Sequence, residues 1–287
     1  MKKIAVIPNP LKDTGYIETR KIIEYISSFN CDVFIESIHK ESLKPAISDR
    51  VKFAARRELF SESELIIALG GDGTIIEAAV EAAEYSVPIV GINMGTLGFL
   101  TQIETENYAA LKDIIDGKFS VNECTMLDID IVSESGEIVK SCRALNDLII
   151  SGSSHKMINT STFINGTCMG RYSADGIIVS TAIGSTAYSL SAGGAIMHPE
   201  VDAMIITPIC PHTLKARSTV IPGSSTVEII QTPPYRTKAV VNADGNVIYE
   251  ISDSKEIIRI KKSEYTTLLV KLENTNFFDI LRNKLSD

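Results

Sequence analysis

The chain has 287 residues, of which 44% are hydrophobic and 22% charged, and its net charge is −8. This composition is typical of a soluble globular protein with one large or two ordinary domains, and the negative charge argues against nucleic acid as a main partner. No apolar run is long enough for a transmembrane helix, and no membrane partner is expected. The first apolar segment breaks at Pro8, as a first strand does and a signal peptide does not.

The cysteines are scattered along the chain and none forms a CxxC pair: Cys31, Cys124, Cys142, Cys168 and Cys210. This pattern predicts neither a zinc site nor a disulfide framework. Reduced, mostly buried thiols in a cytoplasmic protein are the simplest interpretation.

Strand and helix signals alternate over the first part of the chain. The predicted strands are Lys3–Pro8, Cys31–Ile38, Leu65–Leu69 and Pro88–Ile92, and the predicted helices are Tyr16–Phe29, Ile47–Phe60, Thr74–Tyr85 and Asn107–Ile115. Alternation of this kind predicts a parallel sheet with right-handed crossovers, as in a Rossmann-like α/β domain. Ligands of such domains bind beyond the carboxyl ends of the strands.

From Phe119 to Lys271 the pattern changes to short strands separated by turn residues such as Asn165-Gly166 and Asp244-Gly245. We therefore expect an all-β, sandwich-like second domain over residues 122–268. A last helix, Asn276–Leu285, is expected to return to the first domain, which then comprises residues 1–121 and 269–287.

The most informative motif is Gly70-Gly71-Asp72-Gly73-Thr74, which lies between a predicted strand and a predicted helix. Glycines allow an anion to approach main-chain N–H groups, and the helix N-terminus adds a positive dipole. The carboxylate of Asp72 would repel phosphate, so a role as a base in phosphoryl transfer fits it better. The alternative is an ordinary glycine-rich turn with a capping Asp.

Three further segments are unusual. Asn93–Leu100 is glycine-rich, and its Phe99 offers an aromatic face to a base or sugar, or alternatively fills the domain junction. Ala144–Asp147 carries an amide beside a carboxylate, which suits a ribose diol but is also typical of an Asx turn. Asp175–Gly194 is rich in hydroxyls and small residues, which favours a binding role because buried polar groups need partners.

Together these four segments resemble the NAD kinases of the bacterial ATP- or polyphosphate-dependent type. The resemblance continues through Thr207–Arg217 and the Ala243–Asn246 turn and covers most of the chain. The GGDGT motif is shared with lipid kinases and phosphofructokinases, whereas the long segment Asp175–Gly194 is specific to NAD kinases.

The resemblance implies a kinase that transfers the terminal phosphoryl group of ATP, or of polyphosphate, to the 2′-hydroxyl of the adenosine ribose of NAD and so makes NADP. It implies Mg²⁺ with ATP, a homotetramer or homodimer, and Asp72 as the catalytic base. The implied phosphate-donor loop is Gly70, Gly71, Gly73 and Thr74. The implied NAD-binding residues are Asp72, Gly73, Phe99, Asn146, Asp147, Lys156, Asp175, Thr186, Ala187, Tyr188, Ser189, Leu190, Ser191 and Asn246. In the family the residue at Asp175 often comes from a neighbouring subunit.

The chain departs from the family pattern at several positions. Asp147 stands where Glu is usual, Ile183 replaces a Thr or Ser, and Ser173 replaces an Arg that several members carry. Two alternatives to an NAD kinase are a diacylglycerol- or sphingosine-type lipid kinase and a non-catalytic NAD-binding sensor. The lipid kinases usually carry a different second loop, and a sensor is expected to lose the acid of GGDGT, which is present here as Asp72.

Overall fold

The computed structural model of the protein describes residues 1–44, 49–95, 98–153, 156–213, 215–235, 237–251, 255–272 and 276–285. The chain divides into two compact units. Unit 1 comprises Met1–Glu123 and Thr267–Asp287, and unit 2 comprises Cys124–Thr266. The predicted fold class is confirmed, with an α/β first unit, a β-rich second unit and a final helix that belongs to the first unit.

Unit 1 is built on a parallel sheet with the strand order β3-β2-β1-β4-β5 and with β6 beside β5. The central strand β4 is wholly buried, because the crossover helices cover the faces of a parallel sheet. The strands are β1 (Lys3–Pro8), β2 (Asp32–Glu36), β3 (Val51–Ala54), β4 (Leu65–Gly70), β5 (Ile89–Asn93) and β6 (Thr101–Glu104). The α-helices are α1 (Ile17–Ser27), α2 (Lys40–Leu43), α3 (Arg56–Glu62), α4 (Asp72–Ala82) and α5 (Leu111–Ile115).

The helix expected over Ile47–Phe60 was wrong. Residues 47 and 48 lie outside the described part of the chain, but Val51–Ala54 forms the strand β3 and a helix begins only at Arg56. The strand pairs in parallel with β2, with Val51 opposite Val33. A tertiary pairing with an existing strand therefore overrides the local helical spacing. The helix expected from Asn107 to Ile115 is also divided, into a 3₁₀ segment (Thr105–Ala110) and α5.

Unit 2 contains two antiparallel sheets. One has the strand order β14-β13-β12-β9-β16-β17, and the other contains the run β11-β10-β15-β18 together with β7 and β8. The strands are β7 (Ser120–Val132), β8 (Ile138–Ala144), β9 (Asp147–Gly152), β10 (Ile158–Ile164), β11 (Thr167–Ala174), β12 (Gly176–Ser180), β13 (Ala203–Ile209), β14 (Thr219–Pro222), β15 (Val227–Gln231), β16 (Ala239–Ala243), β17 (Asn246–Glu250) and β18 (Ile257–Lys271). A short helix, α6 (Tyr188–Ser191), follows β12.

The core of unit 2 is shared by the two sheets. Leu148, Val179 and Val241 from the first sheet belong to the same buried cluster as Ile229 and Ile260 from the second. β15 alternates buried and half-buried side chains, whereas β12 and β13 are buried throughout, and the inner faces of the two sheets close over this cluster in a sandwich-like arrangement.

The chain leaves unit 1 along β7 and returns to it along β18. In unit 1 the last residues of β18 join the parallel sheet, with Leu269 opposite Ile89, and Thr267 Oγ1 donates to the carbonyl of Ala79 at 3.1 Å. The final helix, α7 (Phe277–Leu285), follows. Among the described helices, none has both the length and the apolar character needed to cross a membrane.

Candidate active site

The GGDGT loop lies at the carboxyl end of β4, and Asp72 is the first residue of α4. Both carboxylate oxygens of Asp72 accept main-chain hydrogen bonds, Oδ2 from the amide of Phe99 at 2.9 Å and Oδ1 from the amide of Leu100 at 3.2 Å. Gly98 leaves room for this contact, since a Cβ on it would collide with Asp72 Oδ1. The structure therefore brings the two glycine-rich motifs of unit 1 together. Thr96 and Leu97 of the second motif lie outside the described residues.

A cavity of about 300 Å³ opens beside Asp72, over the N-terminus of α4. It is lined by Asn9, Lys12, Gly71, Asp72, Gly73, Thr74 and Glu77. Three residues of the predicted donor loop are in this set, and the fourth, Gly70, ends β4 beside it. An anion held in the cavity would face the positive end of the helix dipole.

Asn9 and Lys12 are site residues that the sequence analysis missed. They follow β1, the strand next to β4, so their loop opens at the same edge of the parallel sheet as the GGDGT loop. The available signal was a lysine directly after a strand at this edge.

Phe99 is half-buried, and its ring centroid lies 5.9 Å from Nζ of Lys284 in α7. Its backbone amide holds Asp72 while its ring faces the final helix of the same unit. These two contacts account for the position of Phe99 next to Asp72, the candidate base. A role of the ring in NAD binding stays a prediction.

In unit 2 the predicted pair Asn146 and Asp147 is held by Asp244. Asp244 Oδ2 accepts from the amide of Leu145 at 2.7 Å, and Oδ1 accepts from the amides of Asn146 at 2.8 Å and Asp147 at 3.2 Å. Asp244 has φ +47°, a left-handed conformation that Asp adopts more readily than most residues. The sequence analysis noted this turn but selected only Asn246 from it.

The carboxyl group of Asp147 lies in an environment that disfavours its charge. Asp147 is only 3% exposed. Burial, together with the nearby charge of Asp244, raises the pKa of Asp147 to about 7. Burial also raises the pKa of Asp244, and the three backbone amides oppose that rise. In the described part of the chain no donor reaches the carboxyl group of Asp147. At neutral pH this group can therefore both donate and accept a hydrogen bond.

Most hydroxyls of the segment Asp175–Gly194 are engaged in hydrogen bonds within the protein. Thr181 Oγ1 donates to the carbonyl of Leu145 at 2.7 Å, Ser185 Oγ donates to the carbonyl of Ala182 at 2.6 Å, and Ser189 and Thr207 share a hydrogen bond of 3.0 Å. These three residues of the segment are fully buried. Their hydroxyls, which need hydrogen-bond partners because they are buried, find these partners within the protein. Part of the polar composition of the segment is therefore explained without a bound ligand.

The surface that remains available in this segment is the stretch around α6. Thr186, Ala187 and Leu190 are half-buried and Tyr188 and Ser191 are exposed, whereas Ser189 is buried. The other predicted NAD-binding residues of unit 2, Lys156, Asp175 and Asn246, are all exposed. In the described structure the side chains of Lys156 and Asp175 make no hydrogen bond to Asn146 or Asp147.

Comparison with known proteins gives a consistent family assignment. The model of the ATP-NAD kinase N-terminal domain matches residues 4–119, and the model of the ATP-NAD kinase C-terminal domain matches residues 145–272. The NAD kinase of Caldanaerobacter subterraneus subsp. tengcongensis is 37% identical over 293 residues, with all of both chains covered. The NAD kinase of Thermoanaerobacter sp. (strain X514) is 38% identical over 289 residues, again with full coverage.

Solved structures agree with this assignment. An NAD kinase from Archaeoglobus fulgidus in complex with ATP has a TM-score of 0.73 at 26% identity, covering 98% of each chain. Yeast NADH kinase complexed with NADH has the same fold, with a TM-score of 0.88 at 23% identity over 99% of this chain and 87% of that one. On these matches to both domains and to full-length relatives, the chain belongs to the NAD kinase family.

Proposed function

We propose that Asp72 takes the proton from the 2′-hydroxyl of the adenosine ribose of NAD, in the ATP-dependent phosphorylation of NAD to NADP that this enzyme family carries out. The position of Asp72 carries the proposal, because its carboxylate is fixed by two amides at the edge of a cavity over the N-terminus of α4. A carboxylate has about four lone-pair sites, so two amides leave others for a substrate hydroxyl. The hydroxyl oxygen then attacks the terminal phosphorus of the donor in line, and the leaving diphosphate departs on the opposite side.

The donor loop supplies charge stabilisation. Gly70, Gly71, Gly73 and Thr74 surround the N-terminus of α4, whose positive dipole would face the phosphates, and the amide of Thr74 itself donates to the Gly71 carbonyl at 3.0 Å. The same chemistry would accept polyphosphate as well as ATP, because a helix dipole attracts phosphate groups whatever they are attached to.

A divalent cation enters the reaction with the donor. In the described residues, no group of three His, Cys, Asp or Glu side chains could hold a metal ion. We propose that Mg²⁺ enters as part of the Mg–ATP substrate.

In unit 2, we assign the adenosine ribose to Asn146 and Asp147. Asp244 fixes their backbone, and the raised pKa lets the Asp147 carboxyl group exchange donor and acceptor roles with a ribose diol. We assign the remaining contacts with NAD to Gly73 and Phe99 in unit 1, and to Lys156, Asp175, Thr186, Ala187, Tyr188, Ser189, Leu190, Ser191 and Asn246 in unit 2. Ser189 would act through its backbone, because its hydroxyl is engaged by Thr207.

We further propose a homotetramer or homodimer in the cytoplasm. Support for assembly comes from exposed apolar side chains on the edge strands of one sheet of unit 2, Val220 on β14 and Val247 on β17, which are 51% and 69% exposed. Support for the compartment comes from the five cysteines, all of which are free thiols. Light scattering coupled to gel filtration tests the oligomer, and a monomer would contradict it.

The test of Asp72 is the isosteric substitution Asp72→Asn, with Asp116→Asn as the control. Asp116 is an exposed acid of unit 1 that pairs with Lys112 at 2.6 Å. We expect Asp72→Asn to fold and to bind NAD, while kcat for NADP formation falls by roughly 10²–10⁴-fold, the usual contribution of a general base. Asp116→Asn should match the wild type. Retention of more than a tenth of the wild-type kcat by Asp72→Asn would remove Asp72 from the role of base.

A further inference from the structure

The backbone of Lys12 is held by the turn that follows β1, and its side chain is exposed. Asn9 Oδ1 accepts hydrogen bonds from the amides of Leu11 at 3.1 Å and Lys12 at 3.3 Å, and the amide of Lys12 also donates to the Asn9 carbonyl at 3.1 Å. The other end of the same side chain, Asn9 Nδ2, donates to Thr74 Oγ1 at 2.9 Å. One asparagine therefore shapes the turn that carries Lys12 and also ties this turn to the first turn of α4.

The ammonium group of Lys12 lies over the donor loop. A Cβ added to Gly71 would be 2.5 Å from Lys12 Nζ, and a Cβ added to Gly95 would be 3.9 Å from it. Only a residue without a side chain at position 71 leaves room for the ammonium group in this place. Lys12 and Gly71 also line the same cavity of about 300 Å³.

Within the described residues, Lys12 has no ion-pair partner, although two acids line the cavity. Asp72 is turned toward the amides of Phe99 and Leu100, and Glu77 pairs with Arg56 at 3.1 Å. The positive charge of Lys12 and the N-terminal dipole of α4 therefore face the same space, and the acids at its rim are already engaged. This combination of charges attracts a multiply charged anion.

We propose that Lys12 binds the terminal phosphates of the donor, and that Asn9 is its positioning residue. The inference rests on the proposed function and adds to it a side chain outside the motif. A lysine ammonium is a mobile point charge that can follow the phosphoryl group as negative charge redistributes during transfer. Lys12 thus acts on the donor, whereas Asp72 acts on the acceptor.

The experiment compares Lys12→Met and Lys12→Arg with Lys118→Met, an exposed lysine of unit 1 that pairs with Asp113 at 3.2 Å. Calorimetry measures the Kd for ATP and for inorganic tripolyphosphate, and steady-state assays measure the KM for ATP and NAD. Loss of a charge-assisted contact should raise the Kd of both phosphate ligands and the KM for ATP by about 10- to 100-fold in Lys12→Met. The KM for NAD should stay within about twofold, Lys12→Arg should recover part of the loss, and Lys118→Met should match the wild type.

Asn9→Ala provides the test of positioning. It should weaken ATP binding in the wild-type background and have little effect in the Lys12→Met background, because contacting residues that act together are not additive. Equal effects in the two backgrounds would overturn the positioning role of Asn9.

The two proposals fail in different ways. If the wild type makes NADP but Lys12→Met binds ATP and tripolyphosphate as the wild type does, the assignment of Lys12 is wrong and the proposed function stands. If the wild type binds ATP but makes no NADP, the proposed function is wrong, and calorimetry alone decides whether Lys12 holds the phosphates. A wild type that binds neither phosphate ligand would overturn both.

Discussion

Replacement of Asp147 by Asn should change how the stability of the protein depends on pH. Asp147 keeps its proton in the folded state up to about pH 7, whereas an ordinary Asp releases it near pH 3.8. Between these values the folded state binds more protons than the unfolded state, so the free energy of unfolding falls as pH rises. The contribution is fully present below pH 3.8 and is lost as pH rises through 7.

The size of the effect follows from the two pKa values. Each pH unit between them is worth about 1.4 kcal/mol, so the whole interval amounts to at most about 4 kcal/mol. Asn has the same shape and does not titrate. The difference in unfolding free energy between Asp147→Asn and the wild type should therefore shift by up to about 4 kcal/mol in favour of the variant between pH 4 and pH 7, and remain constant above pH 8.

Urea unfolding at pH 4, 5.5, 7 and 8.5 measures this difference, and circular dichroism is the suitable probe because the chain has no tryptophan. Taking the difference between two proteins removes the titration of the groups that do not interact with Asp147, and leaves that of Asp147 together with the neighbouring Asp244. The exposed Asp113 provides the control, since Asp113→Asn should show no comparable shift. A difference between Asp147→Asn and the wild type that does not vary from pH 4 to pH 8.5 would refute the reasoning.

Two further substitutions test the geometry of the two halves of the site. Asp244→Ala removes the acceptor of three backbone amides. The substitution should therefore cost about 2–5 kcal/mol of unfolding free energy, measured by urea unfolding, and raise the Kd for NAD, measured by calorimetry. Wild-type values of both quantities would contradict this prediction. Gly98→Ala places a methyl group against Asp72 Oδ1, so the carboxylate must move. The kcat for NADP formation should fall on the order of 10²-fold, while the affinity for NAD changes little. A wild-type kcat would show that the position of Asp72 is not critical.

The sequence was sufficient to predict those elements whose hydrophobic pattern agrees with their burial in the folded protein. Lys3–Pro8 has the predicted bounds, because an apolar run in a parallel sheet is visible locally. The strands β3, β6, β11 and β14 were missed. β11 contains Gly170 and pairs with β10 across a register shift at Thr162 and Phe163, so its pairing is set by its neighbour.

The residues of the candidate site could also be predicted only where the local sequence identifies them. Asp72 is recognisable because its motif is contiguous, and the function of the family follows from segments that are each continuous in sequence. Lys12 and Asp244 act through contacts with residues about 60 and 100 positions away, Gly71 and the Leu145–Asp147 loop. No local pattern reports such contacts, so these residues become visible only when the fold places them beside their partners.

Unit 1 is assembled from two segments of the chain that are made at different times. Met1–Glu123 leaves the ribosome before unit 2, but the strand that carries Leu269 to Ile89 leaves after it. A nascent chain of the first segment therefore leaves one edge of β5 unpaired at Ile89, next to the stretch 91–93 that β6 covers, throughout the synthesis of unit 2. The parallel sheet of unit 1 is therefore complete only after the residues that follow unit 2 in the chain have been synthesised.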